Sequence, residues 1–553
     1  MTLRRWRCRD RLPGHKQRDL RGDTTVVVSN VRNISFTVLL VAALTAGVLA
    51  SEGQQQDYDV IISGGRILDG TGNPWFTADV GISKDRILLI DDLSEASATV
   101  VLDAKGLYVT PGFIDVHSHA AEGLTAPDRS GARTLITQGL TTVVVNPDGR
   151  SPDIQEQRDA LGEHGLGVNV AQMVGHGSTR RTVTGMEDRQ ATPAELNQMR
   201  DIVRVGMDAG AFGLSSGLFY SPGSYAELSE VITLAEVAAE YGGVYASHIR
   251  DEADYSIGLV AAVDEVIEVA RKVGIPGVVT HIKALGPNVW GESRTVIEHI
   301  SQARNEGVEM YADQYPYEAS STGLSAALLP RWSQAGGADA LAGRFAELET
   351  RIRIREAMVG NLARRGGADR LQFTGGGPGI EGRTLEDLAG EQGVDPIDIA
   401  IELLTSGGAG SIISYNMHSD DLHAFMMQPW TMTSSDGGVP RFGAAKPHPR
   451  SYGSFTRKIR KYVLEDNVVS LEQAIRSMTS LPAAAFRIRD RGTLRPGAYA
   501  DVVVFDLDRI RDRATYTDPH QYSEGVVHVL VNGELALREE EMTGSMSGEV
   551  LRR

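Results

Sequence analysis

The sequence predicts an α/β protein: a (β/α)8 TIM barrel with a small β-sandwich domain formed by both chain ends. Three observations predict it. Eight apolar runs of strand length alternate with amphipathic helical stretches through the middle of the chain. Short β-rich segments with turn signals flank that middle on both sides. Histidines and acids gather where the apolar runs end, which suits barrel strands that converge on one face.

The chain is long enough for such a fold. It has 553 residues, 41% of them hydrophobic, enough to bury a large core. Lys and Arg number 55 against 72 Asp and Glu, a net charge of -17. A chain this acidic repels phosphate backbones, so no nucleic-acid partner is expected. The single cysteine, Cys8, excludes an internal disulfide framework and any Cys-cluster metal finger.

Residues 1–50 read as a signal peptide. Nine basic and three acidic residues precede or flank FTVLLVAALTAGVLA, the uncharged run at 36–50. Fifteen residues is short for a membrane span, which wants about 20, and suits a signal core. Cleavage is expected near Ala50, giving an exported protein, periplasmic or secreted, with no stable membrane association afterwards.

Residues 51–108 are the first part of the β-sandwich, with YDVIISGGRILDG, ADVGISKDRILLID and TVVLDA as its strands. Residues 481–553 are the second part, with ADVVVFD and EGVVHVLVNGELAL, the latter turning at Asn532-Gly533. The barrel occupies 109–480. Its strands lie in GFIDVHSH, TTVVVNPDG, GVNVAQMVGHG, GAFGLSSG, GGVYASHIR, PGVVTHIKA, GVEMYADQY and WTMTSSDG. An insertion, 331–415, separates the seventh strand from the eighth.

His117 and His119 end the first strand. Residues i and i+2 of a strand share a face, so both imidazoles can reach one metal ion. His248 ends the fifth strand, His281 the sixth and Asp436 the eighth. Imidazoles with a carboxylate form a nitrogen/oxygen site suited to Zn²⁺ or another divalent transition metal. Asp436 can also take a proton from a metal-activated water and hand it to a leaving group. His176, in VGHGSTRR after the third strand, is a candidate hydrogen-bond donor to a reacting carbonyl. Arg250 and Glu252, in HIRDE, are expected to orient His248.

PGFIDVHSH, the β-rich ends and the closing PGAYADVVVFD resemble the amidohydrolase superfamily, whose barrels are of the metal-dependent hydrolase type. YASHIRDE, THIKALG, DQYPYEASST, TSSDGG and HPRSYG are similar to the D-aminoacylase (N-acyl-D-amino-acid deacylase) family. The similarity spans about residues 57–540.

The resemblance implies hydrolysis of the amide of an N-acyl-D-amino acid, or of a peptide with a C-terminal D-residue, by a metal-activated water. It implies one or two zinc ions. One site would be formed by His117, His119 and Asp436. The other would use His248, His281 and a cysteine of the second strand. Here Asn146-Pro147-Asp148-Gly149 replaces the family's GNCG, and Asp148 stands in the cysteine's place. A carboxylate is a harder ligand than a thiolate, so metal identity and count are open. The resemblance further assigns substrate contacts to Lys283, Tyr315, Ser321 and Tyr220. Two alternatives stand beside this reading. One is a cyclic-amide hydrolase of hydantoinase or dihydroorotase type, which wants a strand-four lysine that GLSSGLFY lacks. The other is a non-catalytic relative. D over L preference rests on the resemblance alone, and oligomeric state is not legible.

Overall fold

The computed structural model describes residues 58–377, 379–408 and 410–553. The leader expected over residues 1–50 lies outside them. Among the described residues no helix is long and apolar enough to cross a membrane.

The two chain ends do meet. Five N-terminal strands (Tyr58–Ile67, Phe76–Ser83, Arg86–Asp91, Ala98–Asp103, Tyr108–Pro111) join four C-terminal ones in one mixed sheet of nine strands. The latter are Val502–Phe505, Val526–Val531, Glu534–Arg538 and Glu541–Met542. Tyr108–Pro111 runs antiparallel to Val502–Phe505, with Val109 opposite Val504. The VVVF strand is apolar throughout because both its faces are buried. Val502 and Val504 pack with Ile62 and Val80 inside the β domain. Val503 and Phe505 pack with Phe113, Leu135 and Leu140 of the barrel. Asn532 and Gly533 take φ of 49° and 83°, the two left-handed positions of a tight hairpin turn. A Cβ on Gly533 would fall 1.8 Å from the Lys84 carbonyl oxygen, so the close approach requires glycine.

The eight expected barrel strands all form. They are Phe113–Ser118, Leu140–Val145, Asn169–Gln172 continued by Val174–Gly175, Gly213–Gly217, Val244–His248, Gly277–Val279, Met310–Gln314 and Thr431–Thr433. Neighbours pair in parallel from the first strand to the eighth, the third belonging to both arcs of the sheet. Backbone bonds close the ring. Asp436 N–H donates to the His117 carbonyl (2.9 Å) and His119 N–H to the Gly437 carbonyl (2.7 Å). The interior is filled by Ile114, Val116, Val144, Ala171, Phe212, Val244, Val278 and Met432, with Phe486 and Ile488 packed against them. It is therefore a packed core, and chemistry is confined to the strands' C-terminal ends.

The helices cover the barrel for local reasons. Helix Pro193–Asp208 starts with a capping box, Thr192 Oγ1 accepting from Glu195 N–H and Glu195 accepting from Thr192 N–H. Helix Leu259–Val273 buries Val263, Val266 and Ile267 and ends on Gly274 in the left-handed region.

The segment between the seventh and eighth strands has its own core of Leu328, Ile354, Phe373 and Ile412. Its three-stranded antiparallel sheet orders Ser320–Gly323, Ser411–Ser414 and Leu371–Phe373. The first of these lies ahead of the boundary at 331 read from the sequence. Four small residues, three of them hydroxylic, show no hydrophobic period, so this strand left no trace in the pattern.

Helix Arg450–Arg457 continues into a π-helical stretch, Lys458–Glu465. Lys458 is 2% exposed, and among the described residues no carboxylate pairs with it. Burial pushes its ammonium down to about 7. The unfolded chain holds that proton up to the ordinary lysine value, so folding is penalised most at and below pH 7. The penalty shrinks as pH rises towards about 10. Lys458→Met is therefore expected to stabilise the protein by roughly 1–4 kcal/mol near neutral pH. The gain should vanish near pH 10.5 in urea unfolding series, and a pH-independent difference would contradict the cause given.

Candidate functional site

Three strand ends turn in the left-handed region at non-glycine residues. Asn146 and Asp148 follow the second strand, His281 follows the sixth and Asp436 the eighth, with φ of 66°, 58°, 36° and 48°. Such residues cost about 1 kcal/mol or more each and persist only where surroundings fix them. Two buried carboxylates do part of the fixing. Asp115 accepts from His117 N–H (3.2 Å), Ser435 N–H (3.0 Å) and the Ser435 hydroxyl. Asp313 accepts from His281 N–H (2.9 Å) and the Ser434 hydroxyl (2.6 Å). Burial raises Asp115 to about 7 and Asp313 to about 6 despite these bonds.

These turns aim their side chains at one centre. Asp148 occupies it. Its Oδ1 lies 3.4 Å from His117 Nε2, 3.4 Å from His248 Nδ1 and 3.6 Å from His281 Nε2. Its Oδ2 lies 3.4 Å from His119 Nε2. Asp436 Oδ1 faces the same first-strand pair, 3.6 Å from His117 and 3.2 Å from His119. His281 Nε2 and His248 Nδ1 are 2.8 Å apart. All six residues expected to hold metal are thus brought together.

The donor set fits a divalent cation. Both ring nitrogens of His117, Nε2 of His248 and Oδ1 of Asp148 are buried without a hydrogen-bond partner. Buried acceptors left unpaired are costly, and a metal ion satisfies several at once. Ligand atoms of His117, His119 and Asp436 lie within 4.8 Å of one another, as do those of His117, Asp148 and His281 and those of His248, Glu252 and His281.

The charges are strongly coupled. Burial pushes His117 down to about 3, so its ring is neutral. For His119 desolvation is outweighed by hydrogen bonds to Asp148 and Asp436, which lift it to about 9. Burial and the Lys283 ammonium oppose protonation of His281, yet Glu252 and Asp148 raise it to about 10. Burial disfavours a charged Asp436, but Arg450, His117 and His119 hold it well below the usual carboxylate range.

A cavity of about 450 Å³ opens beside this centre. Lys283, Tyr315, Ser321 and Tyr220 all line it. Lys283 Nζ is ion-paired to Glu252 and lies 2.7 Å from His281 Nδ1. Tyr220 Oη is 3.3 Å from Thr322 Oγ1. His176 is not brought to the site. Its Nε2 lies 2.9 Å from Glu230, which Arg180 also holds, and it does not line the cavity. Its place after the third strand gave it the right height, but a helix starts at His176 and the buried ring is held by Glu230.

Glu252 does contact the histidines, 3.0 Å from His281 Nδ1. Arg250 turns away to Glu265 and to the carbonyls of Ser224 and Ala226. Two buried arginines of the cavity went unassigned in the sequence. Arg450 donates to Asp436 Oδ2 (2.7 Å) and lies over the Tyr315 ring. It sits inside the HPRSYG motif, and His448 of that motif fixes it by accepting from its backbone N–H (3.1 Å). Arg365 comes from a helix end of the insertion, where no motif marks it.

Known proteins share this arrangement of chain. The model of a family described as "Amidohydrolase family" matches residues 100–536. The chain belongs to the amidohydrolase family. Among amidohydrolases it is similar to the N-acyl-D-glutamate deacylase of Alcaligenes xylosoxydans xylosoxydans, 36% identical over 90% of this chain and 97% of that one. The D-aminoacylase of the same organism is 33% identical over 91% of this chain and 99% of that one. The crystal structure of N-acyl-D-glutamate deacylase from Bordetella bronchiseptica, complexed with zinc and a phosphonate mimic of the tetrahedral intermediate, superposes with a TM-score of 0.77. It is 36% identical and covers 90% of this chain and 100% of that one.

Asp148 touches every histidine of the centre. Asp148→Ala is expected to weaken Zn²⁺ binding about tenfold or more, read by competition with a chromophoric chelator. Asp148→Cys should bind Zn²⁺ at least as well as the parent, because a thiolate is the softer ligand. Unchanged affinity in Asp148→Ala would remove this residue from the ligand set.

Proposed function

We propose that this amidohydrolase hydrolyses the amide of N-acyl-D-amino acids with the help of a divalent metal. The observation that carries the reading is the convergence of His117, His119, Asp148, His248, His281 and Asp436, with unpartnered buried atoms, beside a cavity lined by cations. The similarity to N-acyl-D-amino-acid deacylases over nearly the whole described chain supports the substrate class and its D configuration.

His117, His119 and Asp436 would hold one ion, and His248, His281 and Asp148 a second. When bound, Zn²⁺ supplies Lewis acidity that polarises the amide carbonyl and makes water acidic. Asp436 is the proton carrier. Arg450 binds its Oδ2 and leaves Oδ1 facing the centre. Held as a carboxylate, Asp436 accepts the proton of the attacking water at Oδ1 and delivers it to the departing amine. Glu252 ties Lys283 and His281 together and so sets the position of the Lys283 ammonium in the cavity wall. Lys283 then offers charge to the substrate carboxylate, and Ser321, Tyr315 and Tyr220 offer hydroxyls. Burial raises the pKa of both tyrosines, so they remain donors at neutral pH.

A second reading, release of a C-terminal D-residue from a peptide, is favoured by an adjoining cavity of about 790 Å³. It shares Asp148, Arg150 and Tyr220 with the first and continues past Gly149, Ser151 and Pro222. That is far more room than an acetyl group needs. We also propose that the enzyme acts outside the cytoplasm after removal of residues 1–50, on the strength of the apolar run at 36–50.

Amine release from N-acetyl-D- and N-acetyl-L-amino acids by the Zn²⁺-loaded protein starting at Ser51 tests the reading. D-selective release is expected, abolished by a chelator and restored by Zn²⁺. Asp436→Asn, compared in protein shown to be Zn²⁺-loaded, should lower kcat by about 10²–10⁴-fold. Equal rates on both enantiomers, or turnover untouched in Asp436→Asn, would sink it.

A further inference from the structure

The cations of the cavity differ in what already neutralises them. Lys283 is paired with Glu252, and Arg450 with Asp436. Arg150 is exposed at the rim, over the Tyr220 ring. Arg365 is different. It is 1% exposed and lines the cavity, yet among the described residues no carboxylate pairs with it. Its Nη1 donates to Ser414 Oγ at 3.0 Å, and its Nε is buried with no partner. The nearby Arg331, pushed down to about 10 by burial and also repelled by Arg365, adds positive potential rather than relieving it.

An unpaired buried guanidinium is costly, and a fold retains one most readily where a ligand supplies the missing anion. The same cavity wall also carries hydroxyls. Ser325, Thr374 and Ser411 line the cavity with it, all from the segment between the seventh and eighth strands. A carboxylate there would accept a charge-assisted bond from the guanidinium and further bonds from hydroxyls. Lys283 stands on the barrel side of the same cavity, so a substrate can meet two separate cations. A monocarboxylate substrate uses only one of them.

We infer that Arg365 is a specificity-determining residue that binds a second carboxylate, so that the preferred substrates are N-acyl derivatives of acidic D-amino acids. This rests on the deacylase reading of the same site. The leaving residue carries its α-carboxylate to one cation and its side-chain carboxylate to Arg365. A neutral amide of the same shape leaves the guanidinium unpaired, which a site of this kind rejects strongly.

The test compares N-acetyl-D-glutamate with the near-isosteric N-acetyl-D-glutamine on Zn²⁺-loaded protein. The parent should favour glutamate in kcat/KM by about 50-fold or more. Arg365→Met should collapse that ratio to within about threefold, chiefly through KM for glutamate, and Arg365→Lys should keep part of it. The ratio within each variant cancels any loss of folded protein. A parent ratio near one, or a ratio unchanged in Arg365→Met, overturns the inference. Thermal stabilisation by free D-glutamate against D-glutamine needs no turnover. A glutamate-specific rise in Tm that Arg365→Met abolishes supports the site even if no amide is cleaved, in which case the deacylase reading alone has failed. No difference between the two ligands, together with hydrolysis of both amides at equal efficiency, rejects Arg365 and leaves the deacylase reading standing.

Discussion

The site depends on two backbone hydrogen bonds that join the eighth barrel strand to the first. Asp436 donates to His117 and receives, one residue on, the return bond from His119 to Gly437. His117, His119 and Asp436 therefore face one another only if the ring is closed. Asp115 reinforces the seam by binding His117 N–H on one side and Ser435 on the other. Asp313 does the same between His281 and Ser434. Closing the sheet and assembling the ligands are one event, so strain at Asp148, His281 and Asp436 is carried by the packing of the whole barrel.

This coupling explains what the sequence could show. The eight strands were legible because each is apolar and bounded by turn signals, and parallel strands covered by helices leave that pattern. Five of the six central residues were legible because each ends such a run, and Asp148 was legible only through the family resemblance, which implies a cysteine in its place. His176 satisfied the same rule and broke it in space, since the rule fixes height along the barrel and not the direction a side chain takes when a helix begins at once. Arg365 and the strand Ser320–Gly323 belong to the segment between the seventh and eighth strands, where contacts are made within a small independent core and no barrel period applies. Arg450 was visible as part of a motif, but its role came from Asp436, fourteen residues away in sequence and bonded to it in space.

Replacing the family cysteine by Asp148 changes more than one ligand. A thiolate offers one atom to a metal. The carboxylate offers two, and here they divide the histidines, Oδ1 towards His117, His248 and His281 and Oδ2 towards His119. Asp148 would thus lie within reach of both sets of residues that would hold an ion. Like a thiolate, the carboxylate brings one negative charge to the centre, while the charges of Glu252 and Asp436 are paired with Lys283 and Arg450 in the cavity wall.

The pairing of Tyr108–Pro111 with Val502–Phe505 sets the order in which the molecule can form. The strand leading directly into the barrel lies beside one made almost four hundred residues later. Contacts so distant in sequence carry a large loop-closure entropy and belong to slow folding. The faces of Val503 and Phe505 that cover Phe113 arrive only when synthesis is nearly complete, so the first barrel strand stays uncovered on that side throughout elongation. Such a chain is exposed to aggregation while it grows and gains its full cooperativity only at the end.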